Sequence, residues 1–360
     1  MNQAFDEMVD IDDFMQETES KLFEISQRNV KKDVVQINPV IKEALANLEI
    51  AANREDGLSG LQSGFKKLDE FTSGWQNSDL VIIAARPAMG KTALVLSMAK
   101  NMAVSFKYPI GFFSLEMSNV QLVNRLIVNV CQIEGEKIKS GRLDEHEWER
   151  LDSKIKELYD APIYVDDTPS LSIFELRTKA RRLGREHDVK MLMIDYLQLM
   201  NASGMNYGSR EQAVSMISRS LKGLAKELNI PIIALSQLNP GVESSQGEGK
   251  RPQLSDLRES GAIEQDADIV CFIHRPEYYK ITEDEHGSTA GLAEIVIAKH
   301  RNGPTGIVRM KFVNEYVLFK DEEPQYAEFS SSMNRRNVPP HESYPVEAGG
   351  SFNRGNENPF

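Results

Sequence analysis

The chain has 360 residues, a formal net charge of -12 and an apolar share of 41%, enough for a sizeable core in one large domain or two modest ones. That charge excludes a surface that is basic all over, but not Lys and Arg gathered in one loop or channel toward a polyanion. No apolar run approaches the roughly 20 residues that span a bilayer, the start "MNQAFDEMVDIDDF" is acidic where a secretory leader is basic, and Cys131 and Cys271 stand apart within apolar stretches, so the expectation is a cytoplasmic protein with no membrane partner.

In chain order, residues 1–37 are polar and acidic and read as a largely flexible segment, with one short helix around Phe14 to Ile25. Residues 38–56 read as a helix: Asn38 suits the cap, Pro39 the first helical position, and Ile41, Ala44, Leu45 and Leu48 form one apolar stripe. The stripe needs a partner, either the chain's own core or a neighbouring subunit, and the sequence leaves both open. A globular part follows over 57–320. Apolar strand candidates fall at 80–84, 110–113, 163–165, 191–194, 232–235, 269–273 and 293–298, with helical patterns between them at 172–187 and 209–228. The expected class is α/β, a mostly parallel central sheet flanked by helices with its last strands antiparallel. Residues 321–360 turn to Ser, Asn, Gly, Pro and Glu and read as a disordered tail. The six histidines show no zinc spacing.

The stretch "AARPAMGKTALVLSMAK", 84–100, nearly satisfies a phosphate-cradling pattern but has Ala85 where its first glycine belongs. Its context fits, because an apolar strand enters the loop and Lys91 to Ala103 leaves it as a helix with Leu94, Met98 and Met102 on one face. Arg86, Pro87, Ala88, Met89 and Gly90 then form the expected phosphate cradle, with Lys91 and Thr92 at a helix N-terminus that favours an anion. Alanine at position 85 is tolerable if the loop enters without a positive φ.

Downstream strands deliver further polar groups to the same edge. "KMLMIDYLQLM" ends a buried run in Asp195, a carboxylate for magnesium on a nucleotide or a cap for the next segment. "GFFSLEMS" places Glu116 just past a strand, as a base that polarises water or as a helix N-terminal carboxylate. "PIIALSQL" carries Gln237, an amide that can sense a terminal phosphate. The long loop after it holds Lys250, Arg251 and Arg258. In "IVIAKHRNGPTG", Lys299 and Arg301 lie two apart on a strand and so on one face, opposite His300. They read either as a solvated strand edge or as cations reaching a phosphate held by an adjacent subunit.

Together "SGFKKLDEFTSGWQNSDLVIIAARPAMGKT", "FSLEMS", "IDYLQLM", "IALSQLN", "KRPQLSDLRESGAIEQDAD" and "AKHRNGPTG" resemble the RecA-type motor domain of the DnaB-type replicative DNA helicases, in order over about 57–320. In that family the phosphate loop has Ala-Arg-Pro before its Gly-Lys-Thr. The resemblance implies a RecA-like P-loop NTPase in a homo-hexameric ring, with ATP and Mg2+ at each subunit boundary. Lys91 and Thr92 would take phosphate and magnesium, Asp195 the metal through water, Glu116 the base's role and Gln237 the sensor's. Lys299 and Arg301 would act in trans. Arg258, Glu259 and Gly261, with Lys250 and Arg251 nearby, would meet single-stranded DNA that the ring follows 5′ to 3′. Residues 39–53 would be the linker helix that docks on a neighbour, and a helicase loader or primase the outside partner. The N-terminal collar domain of the family is not matched. Pro240 and Ser245 replace arginines of the family pattern, which weakens phosphate attraction, since each neutralised phosphate adds about 0.7 to the single-strand salt slope. Two other functions share parts of the pattern: a RecA-like recombination or repair ATPase, and an ATP-dependent DNA-binding scaffold that does not unwind.

Overall fold

The computed structural model describes residues 34–54, 57–201, 210–238, 251–285 and 287–322. The expected helix around Phe14 to Ile25, most of the two terminal segments, and Lys250, Pro240 and Ser245 lie outside them.

Helix α1 (Ile37–Asn53) begins one residue before the expected cap. Gln36 takes the cap position without a side-chain bond, so Asn38 does not cap. Pro39 still sits in the first turn, where a missing N–H breaks no helical bond. The stripe of Ile41, Ala44, Leu45 and Leu48 is solvent-exposed, with Leu48 at 65%, so the core formed by the described residues does not cover it.

After α2 (Lys66–Thr72), strand β1 (Leu80–Ala85) enters the phosphate loop and α3 (Lys91–Lys100) leaves it. The expected helix to Ala103 continues past Lys100 as one π-helical turn, Asn101–Ser105. Then come β2 (Ile110–Ser114), α4 (Asn119–Cys131), α5 (Gly135–Ser140), α6 (Glu145–Tyr159), β3 (Ile163–Asp166), α7 (Ile173–His187), β4 (Met191–Asp195), α8 (Arg210–Leu228) and β5 (Ile232–Gln237). A 3₁₀ turn (Leu254–Ser260) leads into the short helix α9 (Gly261–Asp266) and β6 (Ile269–His274). The two-residue strands β7 (Glu283–Asp284) and β8 (Gly287–Ser288) pair as a ribbon, followed by β9 (Leu292–His300), β10 (Gly306–Val313) and β11 (Leu318–Asp321).

The main sheet has the order β11-β10-β9-β6-β1-β5-β4-β2-β3. Strands β6, β1, β5, β4, β2 and β3 run parallel, and β9, β10 and β11 add an antiparallel margin. Every residue of β1 is buried because the strand is covered on both faces. Val81 and Ile83 pack with Leu94, Val95 and Met98 of α3 in one layer. Leu80 and Ile82 pack with Leu176 of α7 and Leu221 and Leu224 of α8 in the other. Full burial of each such aliphatic contributes about 1.5–3 kcal/mol, which fixes β1 and hence the loop at its end. Strand β10 is not announced by an apolar run, because "GIVRMKFV" alternates buried and less buried residues, the pattern of a strand with one wet face. Both cysteines are buried and unpaired; burial pushes the Cys271 thiol up to about 12, which suits a small core residue and not a nucleophile.

Candidate nucleotide site

The phosphate loop follows from local backbone demands. Ala85 remains in β1, so no glycine is needed there, and its carbonyl accepts from Lys91 Nζ at 3.3 Å. Gly90 has φ 94, and a Cβ on it would come 3.1 Å from the Phe319 ring. Both reasons call for glycine. Ala88 is held left-handed at φ 63, a conformation that costs a non-glycine residue roughly 1–2 kcal/mol. Met89 is buried in the core, and Arg86 donates to the Tyr279 hydroxyl at 2.7 Å, so neither side chain lines the cleft, and what the two residues can offer a phosphate cradle is backbone.

That cleft, of about 470 Å³, is lined by Pro87, Ala88, Gly90, Lys91, Thr92, Glu116, Asp195 and Gln237 among others. The parallel topology explains the gathering, since β1, β2, β4 and β5 all end at this edge. Thr92 Oγ1 donates to Asp195 Oδ2 at 2.7 Å. Asp195 is 2% exposed, and burial raises its pKa against the pull of Thr92 and Lys91. Burial likewise lowers the Lys91 pKa, with Asp195 and Glu116 opposing. A hydroxyl beside one buried carboxylate is a hard-oxygen donor set that fits magnesium carried on phosphates, which uses few protein ligands. No cluster of three or more His, Cys, Asp or Glu able to cage a metal occurs among the described residues.

Gln237 is set by a residue that the sequence patterns do not single out. Gln198 Oε1 accepts from the Gln237 main-chain N–H at 3.3 Å, while its Nε2 donates to Ser236 Oγ at 2.9 Å and to the Gln237 carbonyl at 3.2 Å. The segment after Asp195 is thereby bonded to the end of β5. Arg125, Arg275 and Phe312 also line the cleft and were missed. The Arg275 guanidinium lies 3.9 Å from the Phe312 ring centroid, a cation–π contact. Its Nε is buried without a hydrogen-bond partner among the described residues, and burial lowers its pKa. A flat cation over a ring beside a phosphate loop suits the base or sugar end of a nucleotide.

Lys299 and Arg301 do not line this cleft. Strand β9 ends at His300, so Arg301 lies just past it, yet both cations reach one place as the sequence suggested. Lys299 Nζ donates to the carbonyls of Glu264 at 2.5 Å and Ala267 at 2.8 Å, and Arg301 Nη2 to the Gln265 carbonyl at 3.1 Å. These carbonyls lie at the C-terminal end of α9, where the last ones lack helical donors. Arg251, expected near DNA, forks onto the buried Glu294 carboxylate with both contacts at 2.7 Å, and its side chain stays 52% exposed. The backbone of Arg258 and Glu259 is in the 3₁₀ turn and that of Gly261 opens α9.

A parallel sheet with a glycine-lysine-threonine loop, a buried aspartate beside the threonine and a polar strand edge defines a RecA-like P-loop NTPase. The chain matches the family described as "DnaB-like helicase C terminal domain" over residues 60–321. It is 44% identical to the replicative DNA helicase DnaB of Geobacillus stearothermophilus over 319 residues, covering 89% of this chain and 69% of that one. With the replicative DNA helicase DnaC of Bacillus subtilis it shares 43% identity, over 88% of this chain and 68% of the relative. Among solved structures, an ATPase domain superposes with a TM-score of 0.74 at 39% identity, covering 81% of this chain and all of that domain. A DnaB-like replicative helicase, solved for its interactions with primase, gives 0.71 at 39% identity, over 84% of this chain and 71% of that one. The chain belongs to the DnaB-like helicase family, as a DNA helicase that uses nucleotide.

Proposed function

We propose that this chain is one subunit of a homo-hexameric cytoplasmic motor that hydrolyses ATP at its subunit boundaries and moves 5′ to 3′ along single-stranded DNA, parting duplex ahead of it. One observation carries the reading. The expected phosphate-directed groups lie at opposite ends of one sheet: the loop follows the last residue of β1, whereas β9 runs antiparallel to β6 and brings His300 level with Ile269 at that strand's start. Along a strand of six residues the separation is roughly 20 Å, too far for a side chain of the same chain to bridge. A second copy would complete the site.

In this reading the loop around Ala88 and Gly90 wraps the phosphates, and Lys91 holds the terminal one. Thr92 and Asp195 would hold magnesium, which neutralises charge on the phosphate oxygens when bound. Glu116 orients and deprotonates the attacking water, Gln237 reports the terminal phosphate, and Arg275 with Phe312 receives the base or sugar. Lys299 and Arg301 of the adjacent copy stabilise charge on the transferred group. Arg258, Glu259 and Gly261, at the head of α9, contact the strand. The exposed stripe of α1 supports docking on a neighbouring copy, since burying such a face is what a lone subunit leaves undone. A loader or primase is the expected outside partner.

A forked-duplex assay tests the proposal. Strand separation that requires hydrolysable ATP and a 5′ tail is the predicted result. DNA-stimulated hydrolysis without separation would instead indicate a recombination-type ATPase, and DNA binding without turnover a scaffold.

A further inference from the structure

At the amino end of the sheet, away from the nucleotide cleft, Asp268 is 3% exposed and holds Arg301 twice. Its carbonyl accepts from the Arg301 main-chain N–H at 2.8 Å, and its Oδ1 lies 3.3 Å from Arg301 Nη1. The other carboxylate oxygen, Oδ2, accepts from the Leu80 main-chain N–H at 2.9 Å and from Lys222 Nζ. Lys222 in turn donates to the Ser78 carbonyl at 2.7 Å. One carboxylate thus fastens the residue after β9 to the first residue of β1 and to α8, all rigid elements.

We propose that Asp268 is a positioning residue for hydrolysis in the adjacent subunit, setting the place and direction of Arg301. This rests on the in-trans role of Arg301 proposed above. A guanidinium has five N–H donors; Asp268 and the Gln265 carbonyl engage Nη1 and Nη2, and the side chain remains 49% exposed. The remaining donors can meet an anion from outside the chain. A long side chain left loose loses much of its value in a transition state, because catalysis depends on placement to within about half an ångström. Asp268 supplies that placement and links it to β1, the strand whose far end enters the phosphate loop of the same chain. The arrangement also constrains substitution. In Asp268→Asn the amide oxygen is kept toward Leu80 N–H and Lys222, which turns the NH2 group toward Arg301, donor against donor.

The test is a double-mutant cycle on DNA-stimulated ATP turnover, with ring assembly followed by gel filtration. Asp268→Asn is expected to lower kcat at least tenfold with KM for ATP within twofold, and to change kcat less than twofold when added to Arg301→Ala. Asp268→Ser, whose shorter side chain keeps a polar group on the Leu80 side but loses the arm toward Arg301, is read by the same numbers should the asparagine variant fail to fold. If Asp268 served the fold alone, it would lower kcat by the same factor in both backgrounds, and the proposal would be overturned. Wild-type turnover in Asp268→Asn with a large loss in Arg301→Ala would also overturn it. No loss in Arg301→Ala would instead sink the in-trans role itself.

Discussion

The two ends of the central sheet use the same strands but differ in how far their charges are partnered within the chain. At the carboxyl end, burial shifts Lys91, Asp195 and Arg275 toward their neutral forms, and the Arg275 Nε has no protein partner among the described residues. At the amino end burial also shifts Lys299 and Asp79 toward their neutral forms, but Lys222, Asp268, Arg301 and Lys299 are each tied by ion pairs or carbonyl contacts within the chain. Buried charge that is thinly matched marks a place built to receive a charged ligand. Matched charge marks a device that holds something still.

The contrast can be broken most severely at the carboxyl end. Lys91→Ala should reduce hydrolysis to nil, measured as phosphate release, while the fold survives because the lysine's internal bond is a single one to the loop. Next in size, Arg301→Ala should cut turnover by on the order of 10³ and leave nucleotide affinity of isolated subunits largely unchanged. An equal fall in affinity would place Arg301 in its own chain's cleft, against the geometry.

A smaller effect sharpens the contrast through pH. Burial, helped by the Asp268 carboxylate, pushes the Asp79 carboxyl up from 3.8 to about 6. The folded chain therefore holds that proton more tightly than the unfolded one, and the associated stability is lost as pH rises through about 6. Asp79→Asn should be more stable than the parent at neutral pH by about 1–3 kcal/mol, with the difference closing toward pH 4, as read from denaturant unfolding. The smallest effect belongs to α1. Leu45→Ser with Leu48→Ser should alter the stability of the isolated subunit by no more than about 0.5 kcal/mol, because both are exposed, while weakening self-association in sedimentation.

Much of the carboxyl end was legible in the sequence, because an apolar run that stops at a lone acid or amide says where its strand ends. Asp195, Glu116 and Gln237 were found that way. Phe312 was not, since it reaches the cleft from the antiparallel margin, whose register no local pattern announces; Arg275 directly follows the parallel strand β6, but a cation after an apolar run carries no signal as plain as a lone acid. Asp268 escaped for a related reason. It stands at the beginning of β6, so a search of strand ends passes over it, and its meaning depends on Arg301, 33 positions later, returning beside it. Helix α1 showed the limit of local rules: Asn38 is a good capping residue, but the helix begins before it and the side chain has no cap to make. The exposure of its stripe, which the sequence left open, became plain only with the core closed without it.

The central claim is that nucleotide is split between a cleft on one copy and cations on another. The most direct measurement is DNA-stimulated ATP turnover per chain as protein concentration is lowered through the range where gel filtration shows the assembly falling apart. The account predicts that turnover per chain rises cooperatively with concentration and disappears in the monomer. A constant rate per chain, persisting in subunits shown to be single, would contradict it.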